Sequence, residues 1–206
     1  MHKLLSAFLA LFLSACAVKP SIVNEYQLTS FNNTNLTNTP SRISLLISQT
    51  TAVEGFQTNQ MQYVSKPFTL TSFAKNGWTS PPAAMIYPLL VQSFQASNYF
   101  HAIGSGSFAG KTDYQLDTLL LELQQSFLTH PSMLTLKLKA ILSNLTDNSI
   151  IASHTFSYKI PCPQDTPYGG VIAANQATQL LTKDIRQFVI RHINGVVTIG
   201  GRGARA

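Results

Sequence analysis

Between residues 134 and 142 the chain alternates strictly: Leu134, Leu136, Leu138, Ala140 and Leu142 are separated by Thr135, Lys137, Lys139 and Ile141. Only an extended strand, whose side chains point to opposite faces in turn, gathers such a set onto one surface. The chain must therefore build a sheet with one buried face. Asp147-Asn148 supplies a turn, and residues 150–160 continue as a second strand with Ala152, Phe156 and Tyr158 on one side. The preceding run changes register, with Tyr114 and Leu116 in the even set and Leu119, Leu121 and Leu123 in the odd. A one-residue slip moves every side chain to the other face, so a bulge or sharp twist is predicted near Asp117-Thr118.

Upstream, Tyr26-Gln27-Leu28 is a short apolar run and Ile43, Leu45 and Ile47 alternate within a strand over 42–49. Residues 61–64 and 68–71 read as a hairpin interrupted around Lys66-Pro67. The polar stretch 32–41, closed by Pro40, is a loop. Two segments carry helical spacing instead. Ser80 as N-cap and Pro81 at the first helical position open one of them. Its stripe is Met85, Ile86, Leu89, Leu90 and Phe94, ending near Asn98. In the second, over 168–193, Val171, Ala174, Leu181, Ile185 and Phe188 form the buried stripe. Lys183, Arg186 and Arg191 are assigned to solvent, and Asn194-Gly195 to the helix end. The order strands, helix, strands, helix predicts an α+β fold: a mainly antiparallel β-sheet with two amphipathic helices packed on one face.

The first residues are of another kind. Lys3, an apolar stretch over 4–13 and then Leu13-Ser14-Ala15-Cys16 describe a secretory signal whose cleavage site is followed by cysteine. That arrangement is a bacterial lipoprotein signal. Cys16 takes the acyl chains and becomes the first mature residue, and several buried chains at about 0.8 kcal/mol per CH₂ make a firm anchor. The apolar stretch is too short to span a bilayer, which needs roughly 20 residues. Ala17 rather than Asp after the cysteine points to the outer membrane under Gram-negative sorting rules. The expected divisions are the signal 1–15, the anchor and tether 16–25, one domain over 26–195 and a loose Gly- and Arg-rich tail over 196–206.

The net charge of +6 is scattered along the chain. Nucleic-acid binding would cluster these cations with aromatics on one face, so anionic lipid surfaces or an acidic partner are the expected counterparts. Cys162, between Pro161 and Pro163, lacks an intramolecular partner once Cys16 is acylated. With no basic residue beside it to lower its pKa, an inert thiol at a strand end is the favoured reading.

The lipidated Cys16, Tyr26-x-Leu28, Met61-x-Tyr63, Trp78 before Pro81-Pro82 and a helix, and Tyr114-x-Leu116 opening a long strand through Leu121 to Phe127 occur in a recognisable order. Over nearly the whole mature chain this resembles the ABC-type transport auxiliary lipoproteins, which include the paraquat-inducible lipoprotein associated with MCE-domain transporters. The resemblance implies an outer-membrane lipoprotein facing the periplasm. Its implied partners are an MCE-domain protein and ABC transporter components, in a lipid transport system between the two membranes. It implies neither the ATPase nor the permease.

Trp78 is a candidate partner anchor, although a tryptophan capping the core is favoured. Tyr63 and Tyr114 read as core residues with hydroxyls at the edge. The segment 104–110 (GSGSFAG) lacks the Walker lysine spacing and a Gly-x-Ser-x-Gly. It reads as a loop between strands whose Gly104, Gly106 and Phe108 are candidate docking residues. His101, His130, His154 and His192 lack paired metal spacing. Asp113 and Asp117 would share one strand face, but without a positioned base they are a solvated edge. No catalytic residue and no cofactor is assigned, and homo-oligomerisation is left open. An adaptor packs solid, whereas the alternative, a lipid carrier, needs an unfilled apolar cavity of several hundred Å³. An envelope hydrolase has the least support.

Overall fold

The computed structural model describes residues 22, 24–106 and 111–203. The expected signal 1–15, Cys16 and Phe108 lie outside the described residues.

Among these residues, nine strands and two α-helices follow in the order β1 (Asn24–Tyr26), β2 (Ser44–Ile47), β3 (Thr51–Ala52), β4 (Gln60–Val64), β5 (Thr71–Trp78), α1 (Pro82–Ala96), β6 (Ala102–Ser105), β7 (Tyr114–Ser126), β8 (Met133–Asn144), β9 (Ser149–Pro161) and α2 (Pro167–Gly203). The long strand β7 organises the sheet. Along one edge it pairs in parallel with β2, β3 and β4 laid end to end, at Leu45↔Tyr114, Thr51↔Leu119 and Gln62↔Gln124. Along the other edge it pairs antiparallel with β8, which carries β9.

The sheet is therefore mixed, not mainly antiparallel as the alternation suggested. Five of the eight pairings among the described residues are parallel, namely β1–β5, β2–β6, β2–β7, β3–β7 and β4–β7. The reason is that alternation reports which face is buried and carries no strand direction. Direction follows the connections. Short links give the antiparallel pairs β4–β5, β7–β8 and β8–β9, whereas the crossover through α1 returns the chain parallel to β2 and β4.

The strongest alternation holds: Leu134, Leu136, Leu138, Ala140 and Leu142 are all buried. They stand beside Leu116, Leu120 and Leu123 of β7 and opposite Ala152, Phe156 and Tyr158 of β9. The bulge lies at Leu121 and not at Asp117-Thr118. Up to Leu120 the even residues face inward, and beyond it Leu123 and Gln125 do so. Thr118 misled the pattern because it is a polar residue on the buried face, its hydroxyl 2.8 Å from that of Thr50.

Both helical stripes are buried as spaced, α1 through Met85, Ile86, Leu89, Leu90 and Phe94 and α2 through Val171, Ala174, Leu181, Ile185 and Phe188. Helix α1 starts one residue later than expected. Pro81 occupies the N-cap without a side-chain bond, and its carbonyl accepts from the N–H groups of Ala84 and Met85. Two successive prolines remove donors that a Ser80 cap would have served. Helix α2 opens on Thr166, whose hydroxyl accepts from the Gly169 N–H at 3.1 Å. It continues through Asn194-Gly195, which take no left-handed cap conformation. In the first hairpin the second strand is β5, displaced towards Trp78 from the predicted 68–71. Among the described residues no helix is long and apolar enough to cross a membrane.

Candidate functional site

Three features of the folded domain carry polar or apolar groups arranged for more than filling space. The first is a cleft of about 420 Å³ beside α1, open to solvent. Gln27, Leu28 and Thr29, following β1, form one wall, Thr79 and Ser80 close one end, and Ala84, Met85, Pro88, Leu89 and Gln92 of α1 form the other wall. Leu28, Met85 and Leu89 are nearly inaccessible to solvent, so the cleft has an apolar base and a rim of amides and hydroxyls. Asn175 of α2 fixes the first wall. Its Oδ1 accepts from the N–H groups of Thr29 at 2.8 Å and Ser30 at 3.1 Å, and its Nδ2 donates to the Gln27 carbonyl at 3.1 Å.

The second feature is Arg186, which the helical spacing assigned to solvent. Its side chain is buried, with 2 % of the residue exposed. The guanidinium donates to the Ser93 carbonyl at 3.1 Å, the Thr34 carbonyl at 3.1 Å and Asn32 Oδ1. All three acceptors are neutral, and burial holds its pKa below the ordinary arginine value. Arg186 thereby ties α2 to α1 and to the loop 32–41. The Thr182 hydroxyl adds a bond to the Asn32 N–H at 2.9 Å. The loop is thus a loop as predicted, but one stapled down by side chains from a distant helix.

The third lies where β8 begins and β9 ends. Cys162 is buried and free, and its N–H donates to the Ser132 carbonyl at 2.8 Å. Desolvation pushes the thiol pKa up, which supports the inert reading. Gln125 Nε2 donates to Ser132 Oγ at 2.9 Å. Asp165 accepts from the Ser132 N–H at 2.6 Å and pairs with His130. These bonds to the Ser132 backbone and side chain hold Asp165 below the usual carboxylate range. Although Ser, His, Asp and Cys meet here, Ser132 and Cys162 are covered while the His130 side chain faces solvent. The cluster fastens the start of α2 to the sheet, with its serine and its thiol out of reach of solvent.

The residues singled out from the sequence are dispersed. Trp78 ends β5, is 2 % exposed and belongs to the core, so it presents almost no surface to a partner. Tyr114 is buried, and Tyr63 stacks on Phe73 with ring centroids 4.4 Å apart. Gly104 lies in the edge strand β6 opposite Leu46, where the sequence predicted loop, and Gly106 follows with φ +58°. Asp113 accepts from the Ser44 N–H at 2.8 Å and hydroxyl at 2.7 Å, bonds that lower its pKa. Asp117 instead accepts from Gln115 at 2.9 Å. The two carboxylates therefore brace the sheet separately. No group of three metal-ligating side chains occurs among the described residues. Sequence reasoning missed Arg186, Asn175 and Gln125. A signal for the first lay in its spacing, since Thr178, Thr182 and Arg186 recur every four residues as a polar line beside the apolar stripe, and all three are buried.

A cavity within the core, lined by Met61, Phe73, Trp78, Leu123, Leu134 and neighbours, measures about 10 Å³. That is room for about one water.

Comparison with known proteins places this architecture. Protein XCC0632 from Xanthomonas campestris superposes with a TM-score of 0.74 at 20 % identity, covering 84 % of this chain and 98 % of that one. A second solved structure, an uncharacterized protein, gives a TM-score of 0.65 at 14 % identity over 82 % and 99 % of the two chains. At these identities the likeness is one of fold. No curated protein matches the sequence. The sequence pattern of the ABC-type transport auxiliary lipoprotein component matches residues 26–186, from the end of β1 to the buried Arg186. This chain belongs to the ABC-type transport auxiliary lipoprotein family.

Proposed function

We propose that the protein is an outer-membrane-anchored, periplasm-facing adaptor of an MCE-type ABC lipid transport system, held by acyl chains on Cys16 and docking the outer-membrane end of the conduit. The carrying observation is the family match across the folded domain. The site chemistry agrees with it. The described clusters of titratable groups are used to brace the fold, and the cavity beside Trp78 is too small for an acyl chain. Ala17 after the acylated cysteine supports the outer membrane over the inner.

The open cleft beside α1 favours one second reading, a lipid carrier. Its volume lies in the range of ligand pockets, but its polar rim and exposure suit a protein segment better than an acyl chain, which gains by leaving water altogether.

The anchoring part is tested by mass spectrometry of the native N-terminus together with density separation of the two membranes. An acylated Cys16 and outer-membrane fractions are expected. An unmodified cysteine, or recovery with the inner membrane, overturns it. For the carrier reading, lipid extraction of the purified protein is expected to yield no stoichiometric lipid, and a bound lipid lost on Met85→Gln substitution would replace the adaptor with the carrier.

A further inference from the structure

Two hairpin tips project side by side from one end of the sheet. Strand β4 ends beside the end of β7, with Val64 opposite Ser126, and the Phe127 N–H donates to the Val64 carbonyl at 2.8 Å. The turn 65–70 and the turn 127–132 therefore leave the sheet together. Phe68 is fully exposed at the apex of the first, Leu70 is 47 % exposed beside it, and Leu128 is 51 % exposed on the second. Phe68 also holds a left-handed φ of 64°, a conformation that a bulky aromatic residue rarely adopts. Behind the tips Tyr63, Phe73 and Phe127 form an aromatic cluster with centroid separations of 4.4, 5.9 and 6.2 Å. The two turns carry Lys66 and His130 and no carboxylate; Asp165, which faces His130, is occupied by it and by the Ser132 N–H.

The occupant follows from shape, charge and the tether. The apolar side chains of Phe68, Leu70 and Leu128 protrude from the two turns, and a lipid interface accepts protruding aromatic and aliphatic groups of any shape. Lys66 matches anionic headgroups. The tether is long enough as well. Ile22 packs against Gly77, and Gly77 stands opposite Gln60 while Thr71 stands opposite Tyr63. The exit of the chain is thus three strand positions, or about 10 Å, from the base of the hairpin. Phe68 lies three residues from Thr71, at most about 10 Å further; the six steps from Cys16 to Ile22 span up to about 20 Å, so acyl chains and tips reach one surface. Tethering also supplies the effective concentration that makes a weak insertion sufficient.

We propose that the paired tips, with Phe68, Leu70 and Leu128, insert into the surface of the bilayer that holds the anchor and seat the domain with this end against the headgroups. This rests on the reading that Cys16 is acylated.

The test uses the full lipidated protein carrying Thr69→Cys labelled with an environment-sensitive fluorophore; Cys162 is buried and stays unlabelled. The protein is reconstituted in vesicles of equal parts phosphatidylethanolamine and phosphatidylglycerol. A blue shift and quenching by spin-labelled lipid are expected. Phe68→Ser is expected to weaken insertion about tenfold or more without moving the melting temperature, since Phe68 is fully exposed. A protein that floats with the vesicles while its probe stays in water overturns the insertion and leaves the anchor standing. Failure to float overturns both. A blue shift without vesicles that grows with protein concentration assigns the tips to a second copy of the chain and likewise overturns the membrane assignment.

Discussion

Arg186 offers the sharpest test of how the domain is held together, because two large effects oppose each other there. Its guanidinium makes three bonds to neutral oxygens, those of Ser93, Thr34 and Asn32. Hydrogen bonds to a charged group contribute about 1.5–3 kcal/mol each. Against this stands the desolvation of a cation with no carboxylate among its bonded partners, a penalty of several kcal/mol and the cause of its lowered pKa. Removing the side chain relieves the penalty but strands the acceptors, of which the Ser93 carbonyl is buried. Arg186→Met is therefore expected to destabilise by about 2–4 kcal/mol. At about 2–4 °C per kcal/mol for a domain of this size, the melting temperature falls by about 4–16 °C. Arg186→Lys, with a single ammonium unable to span three acceptors, should recover only part of that. Calorimetry reads the shift, and hydrogen exchange should show faster opening of residues 32–34, which the guanidinium pins. An Arg186→Met protein that melts at or above the wild-type temperature would refute the reasoning, because desolvation would then outweigh the bonds.

Other expectations follow from individual contacts. Thr118→Val should cost about 1–3 kcal/mol by stranding the buried Thr50 hydroxyl, whereas Thr50→Val with Thr118→Val together should be nearly neutral; equal losses in single and double variants would contradict this. Gly169→Ala should destabilise by about 1–3 kcal/mol, since its Cβ would meet the Gln164 carbonyl oxygen at 2.0 Å. Gly195→Ala should instead stabilise by up to about 1 kcal/mol, because a Cβ there meets nothing within 4 Å; thermal melts that reversed this order would be decisive against it. Asp113 and Asp165 have folded pKa values held below normal by the N–H and O–H groups of Ser44 and Ser132. Their contribution to stability is present above the unfolded carboxylate pKa of about 4 and lost as pH falls below it towards the folded values. The melting temperature should decline in that acid window and less steeply in Asp113→Asn, and a rise on acidification would contradict the assignment.

What could be read from the sequence was the set of faces rather than the directions. Leu134 to Leu142 and the two helical stripes announced themselves because each buried surface repeats with the period of its own backbone. Parallel pairing left no such mark, since β2, β3 and β4 are short and meet β7 only through distant connections. Polar residues turned inward were the other source of error. Thr118 displaced the apparent bulge by three residues, and Arg186, spaced as a surface residue, proved to be a buried staple. Both bond to partners far away in sequence, Thr50 and Asn32 among them, and no local pattern can reveal those. The candidate docking residues fared differently for a related reason. A lone tryptophan reads equally as anchor or core, and Trp78 went to the core, whereas the exposed Phe68 lay unremarked inside a predicted strand.

The central claim, an anchored adaptor of an MCE-type lipid transport system, is tested most directly by crosslinking intact envelopes and capturing the mature, lipidated protein through a tag beside its C-terminus, with mass spectrometry of the captured material. Strong enrichment of an MCE-domain protein and its ABC transport components over a control lipoprotein carrying the same tag is expected. Recovery of the lipidated protein with neither of them enriched would contradict it.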